Sequence, residues 1–359
     1  MLEEDLGLGP VRPDGTRKDH VGPVESGSAE RGTADAGDSV PAGSKGIWVW
    51  SSTIRGHEPA FAAWLTQHSY TDVFVLFKGT SGMIKHDVLD ALMGITAKSG
   101  QGVRVWAWMA GLSDASHASP SWTYLVGNWV SPECVAYRDH LISTARAAID
   151  PSQGKVSRVP DGLMLDDSFQ WPSQLYGKSM SNRVQTLVSL VDAIKAELAG
   201  VHKSTGKKIL LGFAPHPETA VHSKAPGSVA TYSAFAYGQD MGQLAKRCDW
   251  IVPETYRYGH YGNQPSWIGT VVGDIAKEIA LECPGRSGIV KVFPALVLYL
   301  SDAAPTAVAA VDLGQDRAVA LAVAGGLSVF RYASHFANPG SGLDGDDWPT
   351  AAQSVVLDQ

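Results

Sequence analysis

From Gly46 onward the chain alternates between two hydrophobic rhythms. Short, nearly continuous apolar runs predict strands over Gly46–Ser51, Asp72–Phe77, Arg104–Met109, Gly162–Asp166, Ile209–Ala214, Trp250–Glu254, Val290–Leu298 and Gly326–Arg331. Between them, apolar residues recur at helical spacing over Pro59–Gln67, Asp87–Ser99, Glu133–Ile149, Asn182–Ala199, Gly238–Arg247, Trp267–Leu281 and Thr306–Val323. Asp87 and Asn182 are the expected N-caps. Strands without polar alternation are buried on both faces, as in a parallel sheet covered by helices. Eight such units over roughly 290 residues predict a (β/α)8 TIM barrel. A doubly wound sheet is the alternative, but it commonly carries a glycine-rich loop after its first strand. Trp48-Val49-Trp50-Ser51-Ser52-Thr53 has no such loop.

Residues 1–44 are rich in Gly, Pro, Ser, Asp and Arg and lack apolar periodicity. They predict a disordered tail, or an arm that a protein partner orders. The expected division is therefore 1–44 tail, 45–338 catalytic barrel and 339–359 C-terminal extension, the last packing on the outside or fraying.

Barrel chemistry gathers where the strands end. The fourth strand ends in two acids, Asp166-Asp167, followed by the aromatic loop Ser168-Phe169-Gln170-Trp171-Pro172. Side chains alternate along a strand, so Asp166 is expected to face the barrel axis and Asp167 to face away. The sixth strand ends at Glu254-Thr255-Tyr256, and the fifth runs into Pro215-His216-Pro217-Glu218. Lys78, Trp50, Trp108, Tyr299 and Arg331 stand at other tips. Few polar groups in an aromatic-lined mouth describe a small-molecule site. Aromatic faces suit sugar rings, and paired carboxylates suit glycosidic cleavage, one protonating the leaving oxygen while the other attacks carbon or activates water. Asp166 is the expected nucleophile or stabiliser, Glu254 the general acid/base, Asp167 a supporting acid and Glu218 a reserve. Trp50, Lys78, Trp108, Trp171, His216, Glu218, Tyr256, Tyr299 and Arg331 are the expected substrate contacts. No cofactor and no metal are expected.

Composition narrows the partners. A net charge of −7 argues against nucleic acid, and no apolar run reaches the roughly 18 residues of a membrane span. Eleven Trp among 359 residues is a high count, in keeping with a carbohydrate substrate. Cys134, Cys248 and Cys283 have no metal-ligand or disulfide spacing and are expected to be buried free thiols. Met1-Leu2-Glu3-Glu4-Asp5-Leu6 lacks the basic and apolar parts of a signal peptide. The substrate class points to an extracellular, cell-surface or virion-surface setting, which would need another export route, a removed leader or release by lysis.

Three segments carry a family resemblance: Val130-Ser131-Pro132-Glu133-Cys134-Val135-Ala136-Tyr137-Arg138, then Asp161 to Pro172, then Cys248-Asp249-Trp250-Ile251-Val252-Pro253-Glu254-Thr255-Tyr256. In order and spacing they resemble the glycoside hydrolase-like barrel proteins of the GHL10 type, over roughly residues 46–335. That group has N-P-x-V-x-x-Y at a helix start, D-G-[IV]-x-x-D-[DY]-x-x-x-P at strand four and D-x-[IV]-x-P-Q-x-Y at strand six. The resemblance implies a barrel acting on glycosidic bonds with Asp166 as its principal strand-four carboxylate. Glu254 stands where the group has Gln, so its role comes from the chemistry above. Ser168-Phe169-Gln170-Trp171-Pro172 stands where the group is Tyr-rich.

Blander readings accompany each residue. Asp166 could pair with Arg331 or Lys78, Glu254 with Arg257 or Lys78, and Asp167 could cap its loop. The rings could be core, and the Pro-His-Pro-Glu stretch simply a stiff connection. From other function classes come a silent carbohydrate-binding barrel, attached through the 1–44 tail, and a lyase using Lys78 as a Schiff-base amine. Asp344-Gly345-Asp346-Asp347 lacks the closing Glu of a calcium loop.

Overall fold

The computed structural model describes residues 39–100, 102–116, 119–171, 178–216, 234–256, 264–300, 307–332 and 349–359. Their strands are β1 (Lys45–Val49), β2 (Asp72–Lys78), β3 (Arg104–Met109), β4 (Gly162–Leu165), β5 (Leu210–Phe213), β6 (Trp250–Ile251), β7 in two pieces (Lys291–Val292 and Ala295–Val297) and β8 (Leu327–Tyr332). Each pairs in parallel with the next, and β1 pairs with β8. The first piece of β7 pairs with β6 and the second with β8. Glu254 bridges in parallel to Ala295 across the same gap. Phe293-Pro294 separates the two pieces because Pro294 has no N–H to donate to a ladder. The ring therefore closes through one interrupted strand, and the predicted (β/α)8 barrel is the fold.

Outside the ring lie α1 (Glu58–Gln67), α2 (Asp87–Ser99), α3 (Val135–Ile149), α4 (Met180–Thr205), α5 (Met241–Ala245), α6 (Ser266–Glu282), α7 (Ala310–Ala324) and α8 (Ala351–Asp358). Two expected caps shift. Asp87 is the first residue of α2, after His86. Ser179, not Asn182, caps α4, its side chain accepting the Asn182 N–H. A short hairpin, Tyr124–Val126 with Trp129–Val130, interrupts the β3–α3 connection and was not legible as a strand pair. In the expected C-terminal extension, α8 packs into the fold: its buried Gln353 donates to the Leu298 and Val308 carbonyls. The 1–44 tail lies outside the described residues up to position 38. Val40 and Ser44 are already buried against the barrel. Among the described residues no helix is long and apolar enough to cross a membrane. Cys248 and Cys283 are buried, while Cys134 is half-buried at the entrance to α3; all three are free.

Alternation sorts the strand residues into two clusters. Ile47, Val49, Val73, Val75, Leu163, Leu165, Leu211 and Phe213 pack outward with the helices. Trp48, Phe74, Trp106, Met164 and Trp250 fill the barrel. The filling is unusually aromatic, with Trp106 and Trp250 rings 5.4 Å apart and Phe74 5.2 Å from Trp250. Glycines make the room. A Cβ at Gly162 would overlap the Trp106 ring, and one at Gly212 would overlap the Met164 side chain. At the N-terminal end, buried Asp72 accepts from Arg104 Nε at 2.8 Å and Trp106 Nε1 at 2.7 Å, which seals that mouth.

Candidate active site

The C-terminal ends of β4, β5 and β6 bring Asp167, His216 and Glu254 together, one donor atom of each lying within 4.8 Å of the others. His216 Nδ1 is 3.5 Å from Glu254 Oε2. Glu254 stands on the inward parity of β6, two residues beyond barrel-filling Val252. Pro253 and the Glu254–Ala295 bridge hold it in the wall. The three side chains are half-buried.

Asp167 departs from expectation. Alternation predicts that it faces away from the axis, yet its carboxyl joins His216 and Glu254. The strand ends at Leu165, and alternation lapses with it. Phe169 N–H donates to the Asp166 carbonyl, turning the chain back at the tip. Buried Gln239 then ties two loops together. Its Nε2 donates to the Asp167 carbonyl at 3.2 Å and the Phe169 carbonyl at 3.1 Å, and its Oε1 accepts the His216 N–H at 3.0 Å. Sequence reasoning passed over Gln239, because no motif marks a residue that acts only by bridging distant loops. Asp167 is raised well above the carboxylate range, by burial first and then by the charge of Glu254, while His216 pulls it down.

Asp166 faces the axis as expected, but as a buried group, 7% exposed. One oxygen accepts from Trp108 Nε1 at 3.0 Å; the other accepts from Ser168 N–H at 2.9 Å and from Ser168 Oγ. It pairs with neither Arg331 nor Lys78. Burial, then the charge of Asp167, raises it to about 7, against the Ser168 and Trp108 hydrogen bonds. The folded chain thus keeps a proton that unfolded Asp, near 4, has released. That contribution to stability is complete below about pH 4 and is lost as pH rises towards 7. Asp166→Asn is expected to flatten a fall of up to about 4 kcal/mol across that window. Urea midpoints measured against pH would show it, and an unchanged slope in the variant would assign the fall to another group.

Other expected contacts divide by accessibility. Lys78 is a correction: it is fully buried, 2.9 Å from equally buried Asp114, and cannot meet a substrate or form an imine there. Burial lowers its pKa, and Asp114 draws it back up. Trp171 is another correction, 1% exposed and packed in the outer core. Trp108 is buried beneath Asp166. Half-buried Tyr256 stacks on Phe330 at 5.5 Å. Arg331 Cζ stands over half-buried Trp50, 3.6 Å from the ring centroid, and 5.4 Å from the centroid of buried Tyr299. Half-buried Tyr237, beside His216 at 5.0 Å, was not anticipated. Glu218, Arg257 and the Asp344–Asp347 stretch lie outside the described residues. The Asp167–His216–Glu254 donor set is also one that a divalent cation accepts.

No family model and no curated protein matches the chain. Solved structures do. The glycoside hydrolase domain of PgaB (BpsB) from Bordetella bronchiseptica aligns at TM-score 0.59 and 10% identity, over 80% of this chain and 93% of that one. The endo-1,4-beta-D-mannanase of Thermotoga petrophila aligns at TM-score 0.59 and 11% identity, over 87% and 97%. A glycoside hydrolase family 18 N-acetylglucosaminidase from Paenibacillus barengoltzii aligns at TM-score 0.53 and 11% identity, over 88% and 99%. At such identities the likeness is one of fold: the chain is a (β/α)8 barrel of the kind those glycoside hydrolases share.

Proposed function

We propose that this chain is a glycoside hydrolase that cleaves a polysaccharide or surface glycan with the carboxyl pair Asp167 and Glu254. The observation that carries the reading is their convergence with His216 at one strand-tip cluster. Two carboxylates this close cannot both ionise cheaply, so one holds a proton near neutral pH. Burial and the Glu254 charge favour Asp167 as the holder. Asp167 protonates the glycosidic oxygen as the leaving sugar departs, and the Glu254 carboxylate attacks the anomeric carbon. Water, losing its proton to Asp167, then displaces Glu254 from that carbon. Asp166 does not touch substrate in this scheme. It anchors the β4 tip through Trp108 and Ser168, and its charge state bears on Asp167 next to it. The fold likeness to hydrolases of glycans supports the substrate class.

The separation also predicts stereochemistry. Retaining enzymes hold their carboxyls about 5–5.5 Å apart, and inverting ones about 6.5–9.5 Å, to admit a water. Carboxyl oxygens within 4.8 Å of one another favour the short class. Proton NMR of freshly released sugar is expected to show the substrate's own anomeric configuration; the opposite anomer first would overturn the assignment of Glu254 as nucleophile.

A further inference from the structure

We propose that Arg331 forms a subsite for an acidic group carried by the sugar chain, so that the glycan is anionic; this rests on the hydrolase reading above. Arg331 is 8% exposed at the tip of β8. Among the described residues, none of its N–H donors meets a hydrogen-bond acceptor or a carboxylate. Among the described residues Arg183 is also buried deeply, and both of its terminal nitrogens meet acceptors. Arg183 donates to the carbonyls of Trp171 at 2.9 Å, Ala236 at 3.3 Å and Phe235 at 2.6 Å. Among the described residues Arg331 has no such partners; what its guanidinium meets is the rings of Trp50 and Tyr299.

A guanidinium held over aromatic rings keeps its N–H fork available for another partner. The complement of that fork is a planar or tetrahedral oxyanion, bound through two parallel hydrogen bonds. Among the described residues no carboxylate forms an ion pair with it. Asp166 and Asp167 stand at the tip of β4, four strands from β8 in a closed ring of eight, and Glu254 stands at the end of β6, two strands away. Among the described residues, the mouth thus has Asp167 and Glu254 on one side and Arg331 on another. An acidic glycan is oriented by that asymmetry, its charge drawn to Arg331 and away from Asp167 and Glu254. Half-buried Trp50, against the barrel filling, adds a ring face beside the fork. A uronic acid carboxylate and a sulfate ester share this chemistry.

The full chain carrying Asp167→Asn, in which turnover is expected to be slow, is titrated by calorimetry with polygalacturonate, alginate and hyaluronate. Each is compared with its carboxyl-reduced neutral form, and dextran sulfate with dextran. At least one charged polymer is expected to bind about 10-fold or more tightly than its neutral form, and Arg331→Met to weaken it by about 10- to 100-fold. The reduced polymers and the sulfated one tell carboxylate from sulfate. A net charge of −7 disfavours unspecific attraction of polyanions. Equal affinity for charged and neutral forms, no binding of any charged polymer, or a folded Arg331→Met protein that binds as the parent does would each overturn the proposal. Should Arg331→Met fail to fold, the parent's charged-to-neutral ratio and an Arg331→Lys variant, which keeps the charge but loses the fork, decide it. Loss of the hydrolase reading is separate: a wild-type chain that prefers the charged polymer yet releases no reducing ends keeps this proposal and fails the other.

Discussion

Asp167→Asn and Glu254→Gln are each expected to lower glycan cleavage by about 100- to 10,000-fold, the usual worth of a positioned proton-transfer group. Affinity for the glycan should change much less, because both substitutions keep shape and leave the ring faces of Trp50 and Tyr256 in place. The double variant should fall little further than the worse single one, since residues acting as a unit are far from additive. Reducing-end release under single-turnover conditions, paired with calorimetric binding, separates the two effects. Full turnover in both single variants would end the assignment. Cleavage lost on chelation and restored by zinc would instead give Asp167, His216 and Glu254 to a metal. Asp166→Asn offers the internal contrast. It removes a buried anchor, so its damage should come with a changed pH dependence of stability rather than as a pure loss of chemistry.

The second large effect concerns Lys78. Asp114→Ala is expected to destabilise the barrel by about 3–5 kcal/mol, because it strands an ammonium in a fully buried site. Lys78 would keep only the Ala110 carbonyl at 3.3 Å and the Tyr137 hydroxyl at 3.5 Å. Replacing both partners, Lys78→Met with Asp114→Leu, should recover most of the loss, since well-packed apolar pairs often match a buried ion pair. Urea unfolding of the single and double variants measures this directly. A single variant as stable as the wild type would mean that water reaches the pair. The same burial predicts that borohydride traps no sugar on Lys78, which sets the lyase reading aside on accessibility rather than on chemistry.

The barrel was legible because its signals are local. Every predicted strand is present within a few residues, and where β6 and β7 are cut short, Pro253 and Pro294 break the ladder by lacking an N–H. Asp166 on the inward face was legible for the same reason, as period-2 alternation follows from extended backbone alone. Glu254 kept its parity with barrel-filling Trp250 and Val252, although Pro253 interrupts the hydrogen bonding.

The rest depended on which distant segments meet. Nothing near Lys78 in the chain announces Asp114, and a strand-tip lysine looks the same whether it ends in a cleft or in a buried pair. Trp171 reads as a sugar platform until Arg183 and the Tyr237 carbonyl enclose it. Asp167 was assigned by a rule whose domain ended two residues earlier, at Leu165. By itself the sequence determined eight strands, their order and the inward parity of residues within them, since each rests on hydrophobic spacing within one segment. Only closure of the ring decided that Asp167 turns in towards Glu254, that Gln239 holds the β4 and β5 loops together, and that Arg331 lies against Trp50. Those outcomes depend on contacts between residues tens to hundreds of positions apart, whose energies no local pattern encodes.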